Sequence, residues 1–133
     1  MLGFVFRRQA LLKNPRLLGR WGEKKSERFL RRKGLVTLAH NFSCPTGELD
    51  LVMAEPRDGT VVFVEVKTRT SEQYFPAEAS VTAAKRKRIA SAAKSFMYKN
   101  KIHTRPKRFD IVAVVLGPKG EPEIRHWEYA FLP

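Results

Sequence analysis

The segment Val61 to Arg69, VVFVEVKTR, constrains the fold more than any other part of the chain. It opens with four consecutive apolar residues and contains a fifth, Val66, so apolar side chains occur at both parities. A strand with this pattern is buried on both faces, as in a sheet that helices cover on both sides. The segment Arg108 to Leu116, RFDIVAVVL, has the same character. Together the two segments predict an α/β domain.

Cap and turn signals divide the rest of the chain into a short series of elements. Asn14 before Pro15 predicts the start of a helix, and Gly34 predicts its end. The sequences PRDG and GPKGEP predict turns before the third strand and the fifth. We therefore predict a helix over 15–33, strands over 35–42, 48–55 and 61–69, a helix over 82–99 and strands over 108–116 and 123–129. Residues 1–14 are expected to form an appendage, and residues 15–133 a single domain with a mixed sheet.

Two charged residues interrupt the most apolar strand. Glu65 and Lys67 are two positions apart, so they share a face of the strand, about 6.5 Å apart along the chain. An unpaired charge in a protein interior costs several kcal/mol. Both residues therefore need partners, and the second strand, ELDLVMAE, offers them in Glu48 and Asp50, which also share a face.

The length of the hairpin loop decides how Asp50 is placed. A four-residue loop over 56–59 sets Asp50 directly opposite Glu65, whereas a two-residue loop over 58–59 sets it opposite Lys67. Both registers put the three side chains on one face of the sheet, and a three-residue loop without a bulge does not.

Two directly opposed carboxylates repel each other, so a positive group is expected between them. One candidate is a divalent cation: Mg²⁺ takes oxygen ligands, often one or two carboxylates, and completes its shell with water and phosphate. A lysine beside it would orient water and stabilise charge on a phosphate. The other candidate is Lys67 itself, in a salt bridge at the strand end. The spacing alone leaves both open.

The charge balance suggests a polyanionic partner. There are 26 Lys and Arg against 13 Asp and Glu, a formal net charge of +13, which points first to nucleic acid and second to an anionic membrane surface. The single cysteine, Cys44, favours a reducing compartment. No apolar run reaches the ~18 residues of a membrane span, and no signal-peptide core is found. We expect a cytoplasmic protein without a membrane partner.

Several motifs resemble those of a known family. They are GRWGEKKSERFL at 19–30, Asn41, GELDLV at 47–52, FVEVKTR at 63–69, Lys85 with Arg88 and Ile89, and RFDIVAV at 108–114. They cover nearly the whole domain and resemble the YraN-like family of bacterial proteins. Their D…ExK arrangement resembles the PD-(D/E)xK nuclease superfamily, which includes restriction enzymes and Holliday-junction resolvases. The resemblance implies a restriction-endonuclease-like three-layer core, a mixed five-stranded sheet flanked by helices.

The resemblance also implies roles for individual residues. Asp50 and Glu65, with the main-chain carbonyl of Val66, would bind Mg²⁺ or Mn²⁺, and Lys67 would be the catalytic lysine. Glu23 would complete the acidic cluster, directly or through water. The implied partner is nucleic acid, DNA rather than RNA, and resolvase-like relatives make a homodimer a further expectation.

Other charged residues are candidates for binding or support. Arg69 extends the face of Glu65 and Lys67, which suits a phosphate ligand. Lys85 and Arg88 share a face of the second predicted helix and suit the same role. Residues that would support the site, or simply form ion pairs, are Glu48, Arg108 and Asp110.

The remaining conspicuous side chains have plainer interpretations. Glu27 is expected on a solvated helix face. The aromatic residues Trp21, Phe29, Phe96 and Trp127 are expected in the core rather than as stacking platforms for bases.

Two functions follow from these features. The first is a metal-dependent endonuclease that hydrolyses phosphodiester bonds in DNA, with branched and single-stranded DNA as candidate substrates. The alternative is a nucleic-acid-binding protein that has the nuclease-like fold and little or no catalytic activity. A basic adaptor for an acidic protein or membrane surface is the weakest hypothesis, because the chain lacks an amphipathic basic helix with bulky apolar anchors.

Overall fold

The computed structural model describes residues 2–73, 75–118 and 121–132, with side chains from Arg7 onward. The elements are α1 (Leu2–Lys13), α2 (Pro15–Arg32), β1 (Val36–Cys44), β2 (Gly47–Ala54), β3 (Val61–Arg69), a 3₁₀ turn (Ala77–Ser80), α3 (Ala83–Lys99), β4 (Lys107–Val115) and β5 (Glu123–Trp127). The two predicted helices and five predicted strands are confirmed, with ends within two residues of the prediction. The middle of the GPKGEP turn and Tyr74 lie outside the described residues.

Local signals explain where the helices begin. The Asn14 side chain accepts a hydrogen bond from the Leu17 N–H at 3.1 Å, with Pro15 in the first turn. The Thr82 hydroxyl accepts one from the Lys85 N–H at 3.2 Å. The predicted appendage contains a helix of its own, α1, which packs on α2 and buries Leu11.

The five strands form one mixed sheet in the order β1-β2-β3-β4-β5. The pair β3–β4 is parallel and is joined by the crossover through α3, and the other three pairs are antiparallel. This confirms the predicted mixed sheet and places β3, the strand with the EVK motif, at its centre.

Apolar clusters cover both faces of the sheet. On the α3 side, Phe63 and Phe109 of the sheet pack with Ile89 and Phe96. On the α2 side, Val62 and Val112 pack in the cluster that contains Leu30. Helix, sheet and helix thus form three layers, consistent with the predicted restriction-endonuclease-like fold. No helix within the described residues is long and apolar enough to cross a membrane.

The aromatic residues follow the prediction with one exception. Phe96 is buried, and Trp21 and Phe29 pack half-buried against the α2-side cluster. Trp127 was expected in the core, but 37% of it is exposed. It ends the edge strand β5, where the guanidinium of Arg125 lies 5.6 Å from its ring centre.

Candidate active site

The register of the β2–β3 hairpin sets Asp50 opposite Glu65. The Glu55 N–H donates to the Thr60 carbonyl at 2.9 Å, and Leu51 pairs with Val64. Of the predicted loop lengths, the four-residue loop is therefore the one formed.

The alternation of side chains breaks at Asp50. Leu49 packs in the α3-side cluster and Leu51 in the α2-side cluster, although residues two apart on a strand normally face the same way. On neighbouring β1, Asn41 has a φ of +50°, a conformation that asparagine adopts more readily than most residues. The two irregularities lie side by side, because the β1–β2 register sets Asn41 against Asp50.

The Asp50 side chain turns into a gap between β2 and β3. In a regular ladder the Val66 N–H would pair with the Leu49 carbonyl. Instead it donates to Asp50 Oδ2 at 3.0 Å. The strands separate here, and the Val66 carbonyl, on the same edge as its N–H, points towards the same gap. The Asp50 carboxyl group also forms a hydrogen bond with the Glu65 side chain, so the two carboxyl groups meet, as the register predicted.

Glu65 lies beside Asp50 and two lysines. Its side chain is 3% exposed, and its Oε2 is 3.3 Å from Lys67 Nζ and 3.5 Å from Lys85 Nζ. Burial raises the pKa of Glu65 to about 7, the charge of Asp50 and a hydrogen bond to Asp50 add to the rise, and both lysines oppose it. Glu65 therefore gains or loses its proton near neutral pH and not in the acid range that is usual for a carboxyl group.

Glu23 approaches Asp50 from α2. Burial and the charge of Asp50 raise the pKa of Glu23, whereas a hydrogen bond with the Asn41 side chain opposes the rise. The preceding Gly22 allows this approach, because a Cβ there would overlap the Thr68 hydroxyl on β3. The sequence motif that contains Gly22 and Glu23 thus has a steric reason: the glycine brings the helix close to the strand that carries Glu65.

Lys85 reaches the cluster because α3 packs closely on β2. A Cβ on Gly47 would overlap the main-chain carbonyl oxygen of Arg88. The first turns of α3 therefore lie directly against the start of β2, and Lys85 extends to Glu65. Of the two predicted phosphate ligands on this helix, the structure brings Lys85 into the cluster, while the side chain of Arg88 is exposed.

Arg69 has a partner outside the cluster. Its Nη2 donates to Ser80 Oγ at 3.0 Å and its Nη1 to the Thr68 carbonyl at 2.9 Å. These bonds attach the 3₁₀ turn to the end of β3. They occupy part of the guanidinium, and the half-buried side chain keeps further donors.

Arg108 and Asp110 form an ion pair, one of the two uses predicted for them. Arg108 Nε is 3.2 Å from Asp110 Oδ1. Asp110 is fully buried and also bonds to His126 Nε2 at 2.8 Å and the Tyr129 N–H at 3.1 Å. The pair links β4 to the C-terminal segment and has no contact of this kind with Asp50 or Glu65. Glu48 is exposed, and its charge contributes to the raised pKa of Glu23.

Glu27 was expected on the solvated surface, and that prediction is wrong. Its side chain is 18% exposed and bonds with the Thr37 hydroxyl at 2.6 Å and His40 Nε2 at 2.9 Å. Hydrogen bonds from these two residues outweigh the effect of burial and lower the pKa of Glu27. It joins α2 to β1. Asn41, whose side chain forms a hydrogen bond with Glu23, is a further residue of the site that the sequence did not predict. Its place among the family motifs was a usable signal.

The donor set suits a hard divalent cation. Asp50, Glu65 and the Val66 carbonyl supply oxygen atoms, and Mg²⁺ commonly uses one or two carboxylates and keeps several waters. Within the ranges that the structure describes, no group of three or more His, Cys, Asp or Glu side chains forms a ready cage for a metal. The residues thus fit a hydrated Mg²⁺ or Mn²⁺, and not a zinc site built from nitrogen and sulfur.

Comparison with known proteins identifies the family. Residues 22–114 match the model of the "Uncharacterised protein family UPF0102". Similar relatives include UPF0102 proteins of Pelobacter propionicus (39% identity over 85% of this chain and 81% of the relative), Geotalea uraniireducens (40%; 86% and 88%) and Solibacter usitatus (37%; 98% and 100%). The family match extends over Glu23, Asp50, Glu65 and Lys67, over all of α3 and over α2 from Gly22 onward. The chain therefore belongs to the UPF0102 family, the YraN-like family of uncharacterised bacterial proteins that its motifs resemble.

Proposed function

We propose that the chain is a divalent-metal-dependent nuclease that hydrolyses phosphodiester bonds in DNA. The observation that carries the proposal is the convergence of the Asp50 and Glu65 carboxylates beside Lys67, where β2 and β3 separate. A salt bridge at a strand end needs one carboxylate and one lysine. A second carboxylate destabilises the first: burial, and after it the charge of Asp50, raises the pKa of Glu65. Such costly arrangements cluster at functional sites.

The metal would be held by Asp50, Glu65 and the carbonyl of Val66, with Glu23 acting through water. When bound, Mg²⁺ or Mn²⁺ polarises a phosphoryl oxygen and lowers the pKa of a coordinated water. Binding of the ion would also relieve the repulsion between the two carboxylates, which gives the cluster a reason to exist.

The lysines would act on the phosphate and on water. Lys67 Nζ is near Glu65 and its side chain is 18% exposed, so its charge is available at the mouth of the gap. There it would donate to a water or to a phosphate oxygen that becomes more negative in the transition state. Lys85 supplies a second charge, 32% exposed, which neutralises Glu65 in the free protein and would bind a phosphate oxygen in the complex.

One observation favours the second candidate, a binding protein without activity. Lys67 and Lys85 already neutralise Glu65, so the cluster has a positive partner without a metal. The net charge of +13 suits either candidate, because both need a polyanion.

The test uses labelled single-stranded, duplex and four-way-junction DNA, with Mg²⁺, Mn²⁺ or EDTA. We expect metal-dependent cleavage that falls at least about 100-fold in Asp50→Asn and Lys67→Ala, the usual scale for losing a group that stabilises the transition state. Lys94→Ala, an exposed lysine elsewhere on α3, is the control and should keep wild-type activity.

A readout independent of cleavage is the effect of Mn²⁺ on stability. An ion that binds only the folded chain stabilises it and so raises the melting temperature. At an ion concentration of 100 times the dissociation constant, the free energy of unfolding increases by about 2.7 kcal/mol. The rise should occur in the wild type and be absent in Asp50→Asn. Binding of DNA without cleavage in every metal, together with no thermal effect of Mn²⁺ or Mg²⁺, would establish the binding protein instead.

A further inference from the structure

The outward side of α2 carries a row of cations at every fourth position. Its members are Arg16, Arg20, Lys24, Arg28 and Arg32, and all five side chains are exposed. At 1.5 Å per residue the row is about 24 Å long. We call these five residues the α2 basic row.

The α2 basic row stays on the solvent side along the whole helix. The buried positions Gly22, Ser26 and Leu30 have the same four-residue spacing. Successive residues turn by about 100°, so a position two residues away lies about 200° around the helix. The two rows therefore wind along opposite sides of α2. The row of buried positions packs against the rest of the domain, and the α2 basic row faces solvent.

The cations of the row have no carboxylate partner within 4.0 Å among the described residues. Glutamates spaced along a basic helix normally form i,i+4 pairs with it. Here Glu27 bonds to Thr37 and His40. Glu23 lies near Asp50 and Asn41. Because both acidic residues of α2 are turned towards the sheet, the α2 basic row is available to bind an external anion.

We propose that the α2 basic row is the docking surface for the backbone of duplex DNA beside the candidate active site. Glu23 precedes Lys24 and lies on the flank of the same helix, so a duplex along the row passes the mouth of the carboxylate cluster. A row of about 24 Å matches about seven base pairs at 3.4 Å each. The proposal deepens the proposed function and rests on it for the substrate, but binding is measured without cleavage.

Two features favour duplex DNA over single strands and over RNA. Proteins that bind single strands stack bases on exposed aromatic rings, whereas the aromatic residues of α2, Trp21 and Phe29, are half-buried in the core. The major groove of B-DNA, about 12 Å wide, admits an α-helix. The major groove of an RNA duplex is too narrow for one.

The test compares two triple variants with the same loss of charge. One removes the centre of the row, Arg20→Gln with Lys24→Gln and Arg28→Gln. The other removes exposed cations of α3, of the segment before β4 and of the first residue of β4: Lys94→Gln, Arg105→Gln and Lys107→Gln. Binding of a labelled duplex of about 20 base pairs is followed by fluorescence anisotropy in EDTA, from about 50 to 200 mM salt.

We expect the row variant to bind at least about tenfold more weakly, with a salt slope reduced by about 2.7, since each phosphate contact contributes about 0.9. The control variant should keep the wild-type slope. The double variant Arg20→Lys with Arg28→Lys changes the same two positions but preserves their charge, and it should bind about as well as the wild type. This result would show that the triple variant loses phosphate contacts and not its fold. Because binding is measured in EDTA, where a metal-dependent nuclease does not cleave, a failure of catalysis does not affect this result.

Three outcomes would overturn the proposal. Equal losses in the two triple variants would mean that only net charge matters. Unchanged binding by the row variant would place the DNA elsewhere. Tighter binding of single-stranded DNA or of duplex RNA of the same length would identify a different occupant.

Discussion

The stability of the Glu65→Gln variant relative to the wild type should be higher at neutral pH than at acid pH. The substitution keeps the shape of the side chain and removes its charge. The pKa of Glu65 is about 7 in the folded chain, against an ordinary value of 4.5, because of burial and of Asp50. Between these two values the folded chain holds a proton that the unfolded chain has released. The stability of the wild type therefore falls as the pH rises through this window.

The size of the effect follows from the same two values. A rise from 4.5 to about 7, at 1.36 kcal/mol for each pH unit, corresponds to about 3 kcal/mol. The side chain is only 3% exposed, so solvent screening reduces this little. The free energy of unfolding of Glu65→Gln minus that of the wild type should grow by about 3 kcal/mol between pH 4.5 and pH 8.

Urea unfolding in EDTA at about pH 4.5, 6 and 8 measures this difference. Glu55→Gln is a control of opposite sign, because hydrogen bonds from Arg57 lower the pKa of Glu55. That ion pair stabilises the fold above the unfolded pKa and is lost as the pH falls, so the advantage of the wild type over Glu55→Gln should grow with pH. A difference for Glu65→Gln that stays constant with pH, or shrinks, would refute the described environment of Glu65.

Three further substitutions test the packing that surrounds the site. Ser26→Ala should stabilise the fold by about 1 kcal/mol in urea unfolding, because the buried Ser26 hydroxyl has no hydrogen-bond partner in the part of the chain that the structure describes; a loss of stability would contradict this. Gly22→Ala should destabilise it by about 2 kcal/mol, since the new methyl overlaps the Thr68 hydroxyl, and adding Thr68→Ala should recover part of the loss. Asp110→Ala should cost about 3 kcal/mol or more, because it leaves the largely buried guanidinium of Arg108 with only the exposed Glu128 as a partner and removes the buried acceptor of the Tyr129 N–H; a cost below about 1 kcal/mol would show that the Asp110 ion pair is dispensable.

The sequence by itself determined the elements of this protein and the identity of the central residues. Helix caps, turn residues and the alternation of apolar side chains are local signals, and they placed α2, α3 and the five strands within two residues of their ends. The PRDG segment limited the hairpin to a few registers. The four-residue loop sets Asp50 opposite Glu65, and the two-residue loop sets it opposite Lys67. The motifs likewise indicated the family, because they reflect the residues that the fold requires at fixed positions.

Tertiary structure alone decided how those residues meet. Alternation predicted that Asp50 lies near Glu65, but it did not predict that the Asp50 carboxylate also accepts a hydrogen bond from the Val66 N–H, beside the left-handed backbone of Asn41. The approach of α2 and α3 depends on how closely each helix packs on the sheet, at Gly22 and at Gly47. Such contacts join residues far apart in the chain, and no local pattern encodes the distance between them. For the same reason the sequence did not reveal that Glu27, which was predicted on the surface, forms hydrogen bonds with residues of β1. Nor did it reveal that Trp127 is exposed at the edge of the sheet.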